Sequence, residues 1–142
     1  MQVSEVMSRE VRIANPQQRI SEAAKTMKEI DAGVLPVGEG DRLVGMITDR
    51  DIAVRAVAAG LGPDTPVREV MTADVRYCYE DEELVDVSKV MAELQVRRLP
   101  VVNRDKRLVG ILALADIAAS ESPRVAGKAV EGITRPGGPR AS

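Results

Sequence analysis

The chain has no histidine, no tryptophan and no phenylalanine, and among its 142 residues there are one cysteine and two tyrosines. Without histidine, the usual general base, the common partner of a Ser or Cys nucleophile and the commonest transition-metal ligand are all missing. One cysteine cannot close an internal disulfide or assemble a zinc site, which fits a reducing compartment. That cysteine, Cys78, stands between Tyr77 and Tyr79 in the manner of a strand residue rather than a reactive thiol. Two aromatic rings are too few to build the stacking platforms of single-strand nucleic-acid binders. There is no run of about 20 apolar residues, the length a membrane span needs, and the N-terminus lacks the charged-then-apolar pattern of a secretory signal. No block of five like charges marks a nucleic-acid arm or an acidic tail. These absences predict a cytoplasmic protein with no nucleic-acid or membrane partner, and they narrow catalytic chemistry sharply, with carboxylate chemistry still possible in principle.

What is present is aliphatic. Hydrophobic residues make up 44% of the chain and charged residues 30%, with a net charge of -2, so the surface is ordinary and the core must be tiled by Val, Leu, Ile, Met and Ala. The length suffices for one good core, whereas half of it alone would be marginal. The halves are copies. Sliding the chain 64 positions along itself lays Val3-Ser4-Glu5-Val6-Met7 on Val67-Arg68-Glu69-Val70-Met71 and Leu35-Pro36-Val37 on Leu99-Pro100-Val101. After one extra residue the match resumes, with Arg42-Leu43-Val44-Gly45 on Arg107-Leu108-Val109-Gly110 and Asp51-Ile52-Ala53 on Asp116-Ile117-Ala118. Two copies of a unit about 55 to 60 residues long are too few for a solenoid or a propeller, and they suggest a pseudo-twofold pair sharing one core.

Each copy reads as a leading helical turn, then strand, helix, strand, strand, helix. In the first, the turn is Ser4–Met7, the strand Val11–Ile13, and the helix opens at Ser21, with Ile20, Ala23, Ala24, Met27 and Ile30 at helical spacing and Gly33 as its stop. Leu35–Val37 and Leu43–Ile47 follow as strands joined by a turn, and a helix runs from Asp49 to Ala59. The second copy repeats this with a strand near Val75–Tyr77, a helix near Glu83–Gln95, strands near Arg98–Val102 and Leu108–Leu112, and a helix after Leu114. The predicted organisation is therefore repeat 1 over residues 1–59, a linker over 60–66 that two glycines and two prolines keep irregular, and repeat 2 over 67–120. A terminal helix over 121–134 and a disordered tail over 135–142 complete it.

The candidate chemistry sits where the last strand of each copy meets its helix: Gly45-Met46-Ile47-Thr48-Asp49-Arg50-Asp51, and Gly110-Ile111-Leu112-Ala113-Leu114-Ala115-Asp116. The glycine permits close approach of a ligand or of a neighbouring backbone. Thr48 offers a hydroxyl beside the free N–H groups of an opening helix, which suits a phosphate. Asp51, one turn in, has two oxygens to accept from a ribose diol. Spacing alone favours a plainer role for Thr48 and Asp51, as helix caps. The methionines Met7, Met71, Met27 and Met91 read as core filler.

Taken together, the Val-Met turns, the Leu-Pro-Val and Leu-Val-Gly strands, Thr48-Asp49-Arg50-Asp51-Ile52 and its partner Ala113-Leu114-Ala115-Asp116-Ile117 resemble a tandem pair of cystathionine-beta-synthase (CBS) domains, the Bateman module. The resemblance covers the chain to about Ser120, and it extends to small stand-alone bacterial members linked to hypoxic or dormancy responses. It implies an α/β (α+β) fold of two βαββα repeats, clefts between them that take AMP, ADP, ATP, S-adenosylmethionine or dinucleotides, and commonly a homodimer. It also implies that no cofactor is required. Carried onto this chain, Asp51 would hold ribose and Thr48 phosphate in one site, with Ile13, Ala14, Val34, Pro36 and Val37 lining it and Arg50 nearby. Asp116 would hold ribose in the other, backed by Tyr77, Cys78, Arg98 and Pro100. Ala113 departs from the usual Thr or Ser, so unequal sites are expected, the stronger on Thr48 and Asp51. Arg98, and less directly Arg97, either faces phosphate in place of that hydroxyl or lies in solvent or a dimer face. The function so implied is adenine-nucleotide sensing that signals to an unknown regulated protein. The competing expectation is an interaction protein with empty clefts, and an enzyme is disfavoured.

Overall fold

The computed structural model describes residues 1–120 and 132–133. The segment read as a terminal helix, 121–134, lies outside them apart from 132–133, which are helical, and the tail 135–142 lies wholly outside. The leading turns are single 3-10 turns, Val3–Glu5 and Val67–Glu69. Between and after them come α1 (Ile20–Ile30), β1 (Val34–Glu39), β2 (Arg42–Thr48), α2 (Asp49–Asp51, continuing as a π-helical stretch, Ile52–Val57), β3 (Cys78–Tyr79), α3 (Leu84–Leu94), β4 (Arg98–Val102), β5 (Leu108–Ala113) and α4 (Leu114–Ala118). β1 and β2 form an antiparallel pair, and β3, β4 and β5 a three-stranded sheet with β3 parallel to β4.

Three local expectations are corrected. The strand read at Val11–Ile13 is reduced to one parallel bridge from Ala14 to Val37, and its counterpart near Val75–Tyr77 forms later, at Cys78–Tyr79. Asn15-Pro16 follows Ala14 at once, and proline has no N–H with which to extend a ladder. Gly33 is not the stop of α1; Asp31 takes the left-handed conformation there, as Gln95 does after α3. Nor does Ser21 open α1. Helix N-termini carry N–H groups with no partner inside the helix, and here the linker supplies the acceptors: Ile20 N–H donates to Thr65 O at 2.9 Å and Ser21 N–H to Pro63 O at 3.2 Å.

The units of packing are not the units of repetition. One compact unit is Arg12–Val75; the other is Met1–Val11 with the chain from Arg76 onward. The leading segments are thus exchanged, and each makes the same hydrogen bonds to the body of the other repeat. Val67 N–H donates to Gln18 O at 2.7 Å and Val3 N–H to Glu82 O at 3.0 Å; Arg68 N–H donates to Pro16 O at 3.0 Å and Ser4 N–H to Glu80 O at 2.9 Å. Thr72 and Met46 exchange two backbone bonds, as do Ser8 and Ile111. Where one core was expected, there are two buried clusters. Ala14, Ile20, Leu35, Val37, Ile47 and Ala56 pack with Val67 and Val70 in one unit, and Leu84, Val87, Leu99, Val101, Leu112 and Ile117 with Val3 and Met7 in the other. Full burial of each such aliphatic side chain is worth about 1.5 to 3 kcal/mol, so the exchanged valines contribute on the same scale as residues within the body.

The exchange also accounts for the repeated glycine of the Leu-Val-Gly strands. A Cβ on Gly45 would lie 2.8 Å from Met71 Sδ and 2.9 Å from Thr72 O; one on Gly110 would lie 2.7 Å from both Met7 Sδ and Ser8 O. Of the two reasons that the sequence offered for this glycine, the neighbouring backbone is the one observed. Met71 and Met7, the methionines that end the Val-Met turns, are the side chains that cover it.

Candidate functional site

In the Arg12–Val75 unit, β2 delivers Thr48 to the start of α2 in extended backbone (φ -117, ψ 160). Its Oγ1 accepts from Asp51 N–H at 2.9 Å, and Asp51 Oδ2 in turn accepts from Thr48 N–H at 3.0 Å. This reciprocal pair is a capping box, so the plain reading of these residues is realised in the structure. It does not exhaust them. The Thr48 hydroxyl accepts in this bond and keeps its own hydrogen to donate. Asp51 keeps Oδ1, which faces the Arg55 guanidinium at 3.7 Å with the aspartate side chain only 13% exposed.

The sequence puts Arg55, with Arg50, near the first motif, and the structure gives it a specific place there. Its Nη1 also donates to Met71 O at 3.2 Å, tying the carboxylate of the motif to the exchanged turn. The signal was present as the Asp51/Arg55 spacing, four apart on one helix face, but its second partner depends on the exchange. The aligned position in repeat 2 is Ser120.

Around this motif the chain places the remaining residues proposed for the first site. Val34 lies directly across from Thr48, and Pro36 from Met46, in the β1–β2 register. Ala14, Val34, Pro36 and Val37 are buried, and Ile13 is 40% exposed. Ala14 N–H donates to Pro36 O at 2.9 Å, fixing the Ile13-Ala14 segment against β1. Arg50 is exposed, on the first turn of α2.

The other unit builds the same frame with different groups. Ala113 occupies the cap position in matching backbone (φ -113, ψ 153), and Ala113 N–H donates to Asp116 Oδ2 at 2.8 Å. Alanine has no side-chain acceptor, so only half of the box exists. Arg98 lies directly across from Ala113 and is half-buried; Arg97 is exposed. Among the described residues neither guanidinium has a hydrogen-bond or ion-pair partner. Pro100 is buried in β4, and Cys78 is buried beside it, its thiol directed at Pro100 O at 3.8 Å. Burial, with a smaller contribution from the Glu82 charge, pushes that thiol up to about 12, so it is protonated at neutral pH. Tyr77 is 40% exposed and meets Tyr79 edge to face at 5.8 Å, while Arg104 lies 4.1 Å over the Tyr79 ring and is bidentate to Asp81 at 2.9 and 2.7 Å. That guanidinium holds the Asp81 carboxyl below its ordinary range.

Among the described residues no group of three or more His, Cys, Asp or Glu is placed to hold a metal ion, and no helix is long and apolar enough to cross a membrane.

The comparisons with known proteins agree with this doubled frame. The CBS domain family model matches twice, over residues 3–57 and 67–122. The CBS domain-containing protein YhcV of Bacillus subtilis is 43% identical, over 93% of this chain and 94% of its own. Hypoxic response protein 1 of Mycobacterium tuberculosis is 40% identical over 80% of each chain. Among solved structures, the CBS domain pair of protein MJ0100 in complex with 5-methylthioadenosine and S-adenosyl-L-methionine superposes with a TM-score of 0.72 at 32% identity, covering 83% of this chain and 93% of that one. With two family matches that between them span both repeats, the chain belongs to the CBS-domain family as a tandem pair.

Proposed function

We propose that the chain is a regulatory module whose two motif regions bind adenosine derivatives, with AMP, ADP, ATP, S-adenosylmethionine and NAD as the candidates. Occupancy then alters its conformation or its homodimer packing, and a regulated protein in the cytoplasm reads that state. The observation that carries the reading is the Thr48–Asp51 pair. Its cap bonds hold both side chains in place while leaving the Thr48 hydroxyl hydrogen to donate and Asp51 Oδ1, outside the cap and held by Arg55 at 3.7 Å, as the acceptor that a ligand would share. The similar CBS pair solved with two adenosine compounds supports that choice of ligand class, and the likeness to a hypoxic response protein supports a role under stress. Catalysis is not part of the proposal: the chain has no histidine, and its one thiol is buried and protonated.

Thermal unfolding against those ligands tests it, because a ligand selective for the native state raises the midpoint by mass action. We expect one of them to do so, and Asp51→Ala to weaken it tenfold or more, since a hydrogen bond to a charged group is worth about 1.5 to 3 kcal/mol. No shift at millimolar ligand, or an unchanged affinity in a folded Asp51→Ala protein, would refute the site. A second reading, an interaction protein that binds no nucleotide, is favoured by the exposed Val54, Val57 and Leu61. It is the reading that a blank ligand panel would leave.

A further inference from the structure

The two motif regions share a backbone frame but differ in charge, the first balanced and the second net positive, and resting on the adenosine reading above, we propose that they are sorted by ligand charge. The Thr48 region takes an adenosine derivative with a neutral or cationic 5′ group; the Arg98 region takes a phosphorylated, anionic one.

Equivalence of the positions is fixed by hydrogen bonds as well as by sequence. Asp49 N–H donates to Gly33 O at 2.9 Å, and Leu114 N–H donates to Arg97 O at 2.8 Å. Val34 pairs with Thr48, and Arg98 with Ala113. Within this frame Gly33-Val34 is replaced by Arg97-Arg98, and Asp49-Arg50 by the uncharged Leu114-Ala115. The first region therefore balances two carboxylates, Asp49 and Asp51, with two guanidiniums, Arg50 and the Arg55 that faces Asp51 at 3.7 Å, whereas the second sets two guanidiniums against the single carboxylate of Asp116.

The exchange is coupled sterically. A Cβ on Gly33 would lie 2.8 Å from Asp49 Oδ2, so the Asp49 carboxylate occupies the space above this glycine. A side chain at 33 would have to displace it. In repeat 2 Leu114 replaces Asp49, so that carboxylate is absent, and the exposed Arg97 takes the position of the glycine. Arg98 shares a sheet face with Ala113, because directly opposed residues of an antiparallel pair project to the same side. Its guanidinium, with no partner among the described residues, is a planar fork suited to phosphate. Tyr77, 40% exposed and braced by Tyr79, stands where the first region has Ile13, and it adds a ring on which a base can stack. Against this, Asp49 beside Thr48 would repel a phosphate and attract a sulfonium.

The test is calorimetric titration of the full chain with AMP and with S-adenosylmethionine, separately and together, repeated for Arg98→Ala, Arg98→Lys and Asp49→Asn. We expect the two probes to bind at the same time. Arg98→Ala should weaken AMP tenfold or more and leave S-adenosylmethionine within twofold, with Arg98→Lys partly restoring AMP; Asp49→Asn should weaken S-adenosylmethionine alone. Raised salt should weaken AMP, the ligand of the paired arginines. Mutual competition of the probes, or an Arg98→Ala protein that binds both as the wild type does, would overturn the charge sorting while leaving nucleotide sensing intact. Absence of binding by either probe would overturn both.

Discussion

Moving one hydroxyl between the repeats changes the stability of the chain in opposite directions. Thr48 and Ala113 occupy the same extended cap conformation, within 4° in φ (-117 and -113) and 7° in ψ (160 and 153). Each sits three residues before an aspartate that accepts from its backbone N–H. They differ in one bond, Asp51 N–H to Thr48 Oγ1 at 2.9 Å, which repeat 2 cannot make. Replacing a threonine cap by alanine costs about 0.5 to 2 kcal/mol, typically about 1. Thr48→Ala should therefore lower stability by about 1 kcal/mol, and Ala113→Thr should raise it by a similar amount, since the Asp116 N–H already stands in the frame that Thr48 uses. For a domain of this size either change moves the unfolding midpoint by roughly 3 to 5 °C. The assay is denaturant and thermal unfolding of the ligand-free protein, with the double exchange as a control that should fall near the wild type. A Thr48→Ala protein as stable as the wild type, or an Ala113→Thr protein no more stable, would show that the cap bond is not what separates the two motifs.

Other consequences are sharper at single atoms. Gly45→Ala and Gly110→Ala should each cost about 1 to 3 kcal/mol by overpacking. Adding Met71→Ala to Gly45→Ala should not restore stability, because Thr72 O remains 2.9 Å from the new Cβ; the denaturant midpoint measures both. The Cys78 thiol titrates near 9.0 when unfolded and about 12 when folded. From pH 9 upward the unfolded chain has therefore lost a proton that the native chain retains, and stability should fall by about 1.4 kcal/mol per pH unit until the folded thiol titrates. Below pH 9 this contribution is constant. Unfolding scans across pH 8 to 11 on wild type and Cys78→Ser check the slope, which the variant should lack. In the native protein at pH 8 the thiol should react with a disulfide reagent far more slowly than after unfolding, and equal rates would contradict its burial.

Much of the local structure was legible because it depends on near neighbours. The apolar spacing of Ile20, Ala23 and Met27 placed α1, Leu35-Pro36-Val37 placed β1, and Thr48 with Asp51 announced a cap that the structure realises. Local signals mislead where a distant backbone decides. Ser21 suits a cap by its type, yet the acceptors for the opening N–H groups of α1 come from Pro63 and Thr65 in the linker. Gly33 has the type and place of a helix stop, whereas its lack of a side chain leaves room for Asp49. Arg55, like Arg50, stands near the first motif in the sequence, but its tie to Met71 O depends on a backbone from the other copy.

The sequence by itself determined that there are two copies, which elements each contains, and which residues stand at equivalent positions, since periodicity, caps and chain breaks are set within a few residues. Only the tertiary structure decided that each leading turn packs on the body of the other copy and that the cores are therefore two. It also decided that the repeated glycine makes way for a methionine and a carbonyl rather than for a ligand, and that Arg98 lies across from Ala113. Those facts depend on strand register and on which backbone crosses which strand. Both follow from packing between residues that are close in space but far apart in the chain, such as Gln18 with Val67 and Ser8 with Ile111.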